Sequence, residues 1–127
     1  MDKEYIIFQE DGLFGVKNQR GEVIIPPQYM EMYSFSCGLA MIRDTEYRYG
    51  YINKNNEFVI PLGKYSWCDP RFTCGFARVI MTGKWGIIDT LGNVIVPFKY
   101  DRIWTLKEEY IFSVKAFIDD KEERLNL

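Results

Sequence analysis

Histidine is absent from this sequence of 127 residues, and cysteine is scarce, with three copies and no C-x-x-C spacing. A structural zinc site usually requires four cysteine or histidine ligands, so we expect neither a metal site nor a cofactor. Without histidine, a general base would have to be Asp69, Asp89 or Asp101, or a pair of carboxylates across a cleft. Asp89 begins a turn, where a local hydrogen bond explains it. We therefore expect no enzymatic activity.

The sequence also lacks an excess of basic charge and any long apolar run. It has 16 basic and 18 acidic residues, a formal charge of -2 and a pI near 5.2, and its basic residues are scattered. A nucleic-acid-binding surface usually requires clustered lysine and arginine, so we expect no nucleic-acid partner. No apolar run has the length of a membrane span, and the chain does not open with a basic segment followed by an apolar one. We expect a cytoplasmic protein that does not bind membranes.

What the sequence does contain is a pattern that occurs three times. Gly15, Gly50 and Gly86 are separated by 35 and 36 residues. An aromatic residue before each glycine, a proline and a tyrosine share this period. They are Phe14, Tyr49 and Trp85; Pro26, Pro61 and Pro97; and Tyr29, Tyr65 and Tyr100. A fixed period of this length indicates units that stack on one another, because none can bury its apolar face alone.

The apolar runs of each repeat predict β-strands. Val23–Ile25, Phe58–Ile60 and Val94–Val96 are β-branched or aromatic and too short for helices. A proline follows each run, and we expect it to end the strand because it cannot donate to a ladder.

The turn before each of these runs has its own signature. Gly21, Asn56 and Gly92 occupy one equivalent position in the three copies. Glycine and asparagine best tolerate a left-handed backbone, so we predict a positive φ at this position. Such a residue between two short apolar runs is typical of a β-hairpin.

The aromatic–glycine pair of each repeat is interpreted as a packing device. A glycine inside a strand usually marks a bulge or a close backbone approach. A large ring beside it can cover the gap that the missing side chain leaves. The less favoured alternative is that these rings contact a ligand.

These elements predict one all-β domain over residues 1–127, built from tandem three-stranded antiparallel meanders. The repeats span approximately residues 12–43, 47–80 and 83–115, with about ten strands in all. We predict a closing strand over residues 109–115, and a degenerate cap or tail over residues 116–127 in which Asp119–Arg124 are solvated. The pattern is compatible with a solenoid-like, a barrel and a partial-propeller arrangement, because all three use such meanders. An open array leaves strand edges for self-pairing, which makes a homodimer an additional expectation.

The three cysteines have two interpretations. Cys37 and Cys74 fall at one repeat position, each directly before a glycine, which suggests a buried small residue. A disulfide between Cys68 and Cys74 is the alternative, and a reducing compartment disfavours it.

The third copy carries the most specific pattern, with Lys84–Asp89 (KWGIID) followed by Gly92–Pro97 (GNVIVP). Together with Phe72–Val79, which matches a phenylalanine-x-x-glycine-x-alanine segment, it resembles the WG (or KWG) repeat of bacterial proteins. The resemblance covers roughly residues 12–105. The first two copies have phenylalanine and tyrosine where the family prefers tryptophan, and the third lacks the glycine–alanine segment. The resemblance implies an all-β repeat architecture, a role in binding other proteins and no shared catalytic residues.

Aromatic residues of the connectors are candidates for a binding surface. Tyr33, Trp67 and Trp104 follow the repeated tyrosine, and we predict them on the same side of successive units. A row of rings there could form a protein-binding groove or stack against sugars. Arginine is enriched at binding hot spots, so Arg71 and Arg102 complete the candidate face, and Arg78 lies nearby in the sequence. The alternative is a purely structural role, in which the rings cap the core and the arginines are solvated.

We therefore expect a non-enzymatic module that binds another protein through one connector face. An immunity- or inhibitor-like protein that blocks an effector is a specific version, by analogy with other small acidic domains. The alternative is a carbohydrate- or cell-envelope-binding module that uses Trp67 and Trp104. A carboxylate-dependent hydrolase is a third option, and it would require that Asp101→Asn abolish turnover while the fold stays intact.

Overall fold

The computed structural model describes residues 5–127, and almost all of its regular structure is β. The strands form four antiparallel sheets that follow one another along the chain. The first sheet contains β1 (Ile6–Glu10), β2 (Leu13–Lys17) and β3 (Val23–Tyr29), and the second contains β4 (Glu31–Met32), β5 (Ala40–Arg43), β6 (Tyr49–Ile52) and β7 (Phe58–Ile60). The third contains β8 (Trp67–Cys68), β9 (Phe76–Met81), β10 (Lys84–Asp89) and β11 (Val94–Tyr100), and the fourth contains β12 (Arg102–Ile103), β13 (Val114–Ile118) and β14 (Lys121–Leu125).

The all-β repeat architecture is confirmed, but the units are larger than the predicted meanders. Fourteen strands lie in the described residues, where the sequence suggested about ten. The extra strands include β4, β8 and β12, two-residue strands that each connector adds to the edge of the next sheet. The sheets remain separate over residues 5–127, each with its own edge strands, so the closed-barrel alternative is wrong.

The hydrophobic core runs between consecutive sheets. Val16 and Ile25 of the first sheet pack with Ile42 and Ile52 of the second, and Tyr51 of the second packs in another cluster with residues of the third. A last cluster joins the third and fourth sheets. Each sheet thus buries its apolar face against its neighbour, as the units of a stacked repeat protein do.

The repeated tyrosines help to hold neighbouring units together. The Tyr29 hydroxyl lies 2.6 Å from Oδ1 of Asn56, in the turn of the next unit. The Tyr100 hydroxyl lies 2.8 Å from Oε1 of Glu123, in the hairpin of the fourth sheet. Tyr65 is buried and stacks on Phe98, with ring centroids 5.6 Å apart.

The predicted turns are confirmed. Gly21, Asn56 and Gly92 have φ of 88°, 61° and 88°. At the start of each turn, the side chain of Asn18, Asn53 or Asp89 accepts hydrogen bonds from the backbone N–H groups two and four residues later, at 2.9 to 3.0 Å. This local bond is the role that the sequence indicated for Asp89.

The strand glycines lie where another backbone approaches closely. A Cβ on Gly15 would meet the Ile25 carbonyl oxygen at 2.4 Å, and one on Gly86 would meet the Val96 oxygen at 2.8 Å. The pairing register shifts at both glycines, as it does at a β-bulge. The ring that packs against Gly86 belongs to Phe98, across the sheet. The adjacent Trp85 ring instead lies against Trp67, with the ring centroids 5.3 Å apart.

Proline does not end all three strands. Pro26 and Pro97 lie inside β3 and β11, whereas Pro61 follows β7 as predicted. Both β3 and β11 are edge strands of their sheets. An edge strand tolerates proline because its missing N–H can face away from the ladder, so the expectation that proline would close these two strands is wrong.

The last unit also differs from the prediction. Residues 108–110 form a 3₁₀ turn, and the closing strand begins at Val114, five residues later than the predicted start at 109. Lys121–Leu125 pair with β13 across a turn at Asp119 and Asp120. The segment 119–124 therefore forms the turn and most of the second strand of a hairpin in the fourth sheet. It is exposed, as predicted, and it fits the interpretation as a cap, whereas the alternative of a tail is wrong.

The prediction that Cys37 and Cys74 are buried is wrong for both residues, and so is the alternative of a disulfide between Cys68 and Cys74. Cys37 and Cys74 are exposed, with φ of 55° and 53°, because each is a central residue of a two-residue turn that continues into a glycine of positive φ. Cys68 is the buried cysteine, and all three are free thiols. Within residues 5–127, no helix is both long enough and apolar enough to cross a membrane.

Candidate functional site

The short connector strands determine where the candidate aromatic residues lie. Trp67 opposes Ile80, in the same way that Glu31 opposes Arg43 and Arg102 opposes Phe117. Trp67 is therefore the structural equivalent of Glu31 and Arg102.

The position two residues later belongs to Tyr33, Asp69 and Trp104. Each of these donates its backbone N–H to the neighbouring strand, at 2.9 to 3.0 Å. Tyr33 and Trp104 thus share a repeat position, but Trp67 does not join them in one row of rings.

In the third sheet, a buried ion pair occupies the place of the ring. Asp69 and Arg78 are 7% and 9% exposed, and their side chains form a bidentate pair at 2.9 and 3.0 Å. Arg78 Nη1 also donates to the carbonyl oxygen of Ile103 at 3.0 Å, across to the fourth sheet. The pair is buried and fully hydrogen-bonded, so it positions the adjoining surfaces and does not act as a free cation.

Two tryptophans surround this guanidinium. The Arg78 Cζ lies 5.3 Å from the ring centroid of Trp67 and 5.3 Å from that of Trp85, and the two centroids are 5.3 Å apart. Cation–π attraction and ring contact hold both indoles in place. Trp85, the aromatic residue of the repeat motif, is thereby presented at the boundary between the third and fourth sheets.

A cleft of about 500 Å³ opens at this boundary, and we call it the C-terminal cleft. Its lining includes Arg78, Trp85, Arg102, Trp104, Lys107 and Tyr110. Trp104 is 43% exposed and Tyr110 is 39% exposed. Such large rings are usually mostly buried, so their exposure together in a concave surface marks a binding candidate.

The charge of the C-terminal cleft is positive. Arg102 and Lys107 are both exposed, and the Arg102 Cζ lies 4.6 Å from the Phe117 ring centroid. Among the described residues that line this cleft, none is acidic. A smaller cleft of about 240 Å³ shares Trp104 and Tyr110 and adds Lys115 and Arg124. The two rings therefore form a ridge with cations on both sides.

An equivalent cleft of about 330 Å³ lies between the first and second sheets, and we call it the N-terminal cleft. It is lined by Phe14, Met30, Glu31, Met32, Tyr33 and Arg43. Phe14 corresponds to Trp85, Tyr33 to Trp104 and Glu31 to Arg102. The repeat thus builds a cleft twice at one position, with opposite charge at the entry strand.

The structure places the predicted candidate residues at different sites. Trp104 and Arg102 line the C-terminal cleft, Trp67 is half-buried behind it, and Tyr33 lines the N-terminal cleft. Arg71 is exposed in the loop between β8 and β9 and lines none of these three clefts.

Sequence reasoning missed Trp85, Lys107 and Tyr110 as cleft residues. Trp85 was accounted for by the repeat, and the only available signal for Tyr110 was an aromatic residue inside a predicted closing strand.

The carboxylates considered for catalysis each have a structural partner. Asp69 binds Arg78, and Asp89 holds its turn. Asp101 accepts hydrogen bonds from Lys84 and from the backbone of Asp119, and the bond from Lys84 lowers the pKa of Asp101. Over residues 5–127, no group of three or more potential ligands is placed to hold a metal ion.

Comparison with known families gives three matches along the chain. A family model described as WG containing repeat matches residues 14–45, 49–85 and 85–115. The first two matches end near the start of the next aromatic–glycine pair, and the matches together cover most of the chain. Searches of the curated proteins and of the solved structures find no match.

Proposed function

Since the chain belongs to the WG containing repeat family, we propose that it is a non-enzymatic β-repeat module that binds another protein through its C-terminal cleft. The observation that carries this proposal is the exposure of Trp104 and Tyr110 beside Arg102 and Lys107 in one concave surface. Tryptophan, tyrosine and arginine are the residue types most enriched at protein-binding hot spots.

The charge of the cleft supports a partner with an acidic surface. With exposed Arg102 and Lys107 and an acid-free lining, the C-terminal cleft attracts an acidic segment. The protein as a whole carries a formal charge of -2, so this attraction comes from a local patch and not from net charge. We propose that an extended segment with aspartate or glutamate lies against the Trp104–Tyr110 ridge. An inhibitor-like protein that masks an acidic surface of an effector is one specific form of this function.

A peptide array tests this proposal. The probes are extended peptides of matched length with acidic, neutral or basic centres. Wild type should select acidic peptides, and Trp104→Ala should lose them. Tyr33→Ala is the matched control, because it removes the ring at the same repeat position in the N-terminal cleft and should leave acidic binding unchanged. Equal retention by wild type of all three peptide classes, or unchanged selection by Trp104→Ala, contradicts the proposal.

Carbohydrate binding is the second candidate, and the half-exposed Trp104 ring is the observation that favours it. Sugar sites add side chains that both donate and accept hydrogen bonds around a stacking ring. Such groups in this lining are limited to the hydroxyls of Thr105 and Tyr110, which supports the peptide proposal over the sugar. Glycan-array binding that disappears in Trp104→Ala, without acidic-peptide binding, would reverse this preference.

A further inference from the structure

The N-terminal cleft has a different chemistry from its C-terminal equivalent. Glu31 replaces Arg102 at the entry strand, and its Oε1 lies 3.2 Å from Nε of Arg43. This pair leaves the cleft without net charge. Met30, Met32 and Phe14 provide apolar walls, and Tyr33 is 40% exposed at the rim. Methionine side chains adapt readily to apolar ligands of varied shape.

Arg43 has a buried donor without a hydrogen-bond partner in the described part of the chain. Its side chain is 10% exposed, yet Nη1 has no hydrogen-bond partner among the described residues. Leaving a buried charged donor unpaired is costly, so an acceptor that reaches it gains a strong hydrogen bond. At the boundary between the third and fourth sheets, a guanidinium from a different strand position has such a partner, because Arg78 Nη1 donates to the carbonyl oxygen of Ile103 at 3.0 Å.

An exposed ring lies over the Arg43 guanidinium. The Tyr47 ring centroid lies 4.1 Å from the Arg43 Cζ, so this ring stacks on one face of the guanidinium. Tyr47 is 70% exposed, and it lies at φ 65° in a tight turn between Asp44 and Arg48. Little core packing fixes the ring, so its displacement requires no change in the sheets.

We propose that the N-terminal cleft binds an uncharged apolar peptide segment, one backbone carbonyl of which accepts a hydrogen bond from Arg43 Nη1 when Tyr47 moves aside. An acidic peptide is disfavoured because Glu31 lies beside the guanidinium. Arg78 Nη1 and its backbone carbonyl partner show the same bond formed within the chain. The proposal is independent of the function proposed for the C-terminal cleft, since the two clefts share no residue.

NMR titration of the full chain tests the proposal. The probe is blocked dileucine amide, which is apolar and uncharged and has free carbonyl acceptors. Wild type should show saturable shifts at the Arg43 Nε–H and at the backbone N–H groups of Tyr33 and Tyr47. Arg43→Lys keeps the charge but lacks Nη1, and it should bind roughly tenfold more weakly or worse. Tyr47→Ala should bind at least as tightly as wild type.

Two controls keep the outcome decisive. Tyr33→Ala leaves Arg43 intact and should weaken binding of the amide because it removes a ring at the rim of the cleft, so the proposal is tested even if Arg43→Lys is unfolded. Trp104→Ala alters the other cleft and should bind the amide as wild type does. The absence of a saturable shift in wild type, full binding by a folded Arg43→Lys, or tighter binding of the free acid than of the amide would overturn the proposal.

Discussion

At the residue scale, the strand glycines are required because no side chain fits. A Cβ on Gly15 would lie 2.4 to 2.9 Å from three backbone atoms, and one on Gly86 would lie 2.8 Å from Phe98 and from a backbone oxygen. At Gly50 the contacts are 2.9 Å to the Ile60 oxygen and 3.3 Å to the Phe58 side chain. Backbone atoms cannot yield as a side chain can, so the three positions are not equally strict.

Alanine substitutions at these glycines should therefore have graded effects. We expect Gly15→Ala to reduce the free energy of unfolding most, Gly86→Ala less and Gly50→Ala least, within about 1–3 kcal/mol for overpacked sites. Urea denaturation of the three variants measures the order. A result in which Gly50→Ala is the most destabilised would contradict this account of the close approach.

At the element scale, the hairpin turns depend on one side chain each. Asp89 Oδ1 accepts the N–H groups of Leu91 and Asn93, both at 2.9 Å, and asparagine performs the same role in the two earlier copies. We expect Asp89→Ala to lower the free energy of unfolding by about 1 kcal/mol, because two turn donors lose their acceptor. Asp89→Asn is the control, and thermal denaturation should show it close to wild type. Equal loss in both variants would mean that the carboxylate charge, and not the turn, is what matters.

The elements also show which features a sequence reveals. The turns were predictable because their causes are local. Glycine and asparagine tolerate a positive φ, and the side chains of asparagine and aspartate accept hydrogen bonds from the backbone of the same turn. The connector strands were not, because a two-residue strand such as Trp67–Cys68 has too short a pattern of its own and is defined by its pairing with β9. The hairpin of Lys121–Leu125 was missed because its charged side chains resemble a solvated tail.

The candidate site was half predictable for a related reason. Trp104 and Arg102 stand out in the connectors, and both line the C-terminal cleft. Trp85 and Tyr110 reach the same cleft from β10 and from the 3₁₀ turn, a juxtaposition set by the packing of two sheets. The buried Arg78–Asp69 pair that supports them gave no local signal.

At the scale of the whole molecule, buried acidic groups make the array sensitive to alkali. Burial raises the pKa of the Cys68 thiol to about 12 from an ordinary 9.0, and burial with a hydrogen bond to Glu123 raises that of Tyr100 to about 12 from 10.0. Burial also raises the pKa of Tyr51. The folded state keeps these protons at a pH where the unfolded chain releases them.

Stability should therefore be fully present below about pH 9 and decline as the pH rises toward about 12. Urea denaturation at about pH 8 and at about pH 11 measures the decline, which we expect to be smaller in Tyr100→Phe because one of the raised groups is removed. An unchanged free energy of unfolding over this range would contradict the burial of these groups.

Also at this scale, the array presents two equivalent clefts whose charge differs through Arg102 and Glu31. The central claim is that the C-terminal cleft binds an acidic segment of a partner protein, and a charge swap tests it most directly. Isothermal titration calorimetry compares the affinities of wild type and Arg102→Glu for two peptides. One is the acidic peptide selected on the peptide array, and the other is the same peptide with its acidic residues replaced by lysine.

Arg102→Glu introduces the residue type that Glu31 provides in the N-terminal cleft. We predict that it lowers the affinity for the acidic peptide roughly tenfold or more and raises the affinity for the lysine peptide. Unfolding temperatures matched to wild type show that the fold is retained. Equal affinity of both proteins for the acidic peptide would contradict the claim that this cleft recognises acidic partners.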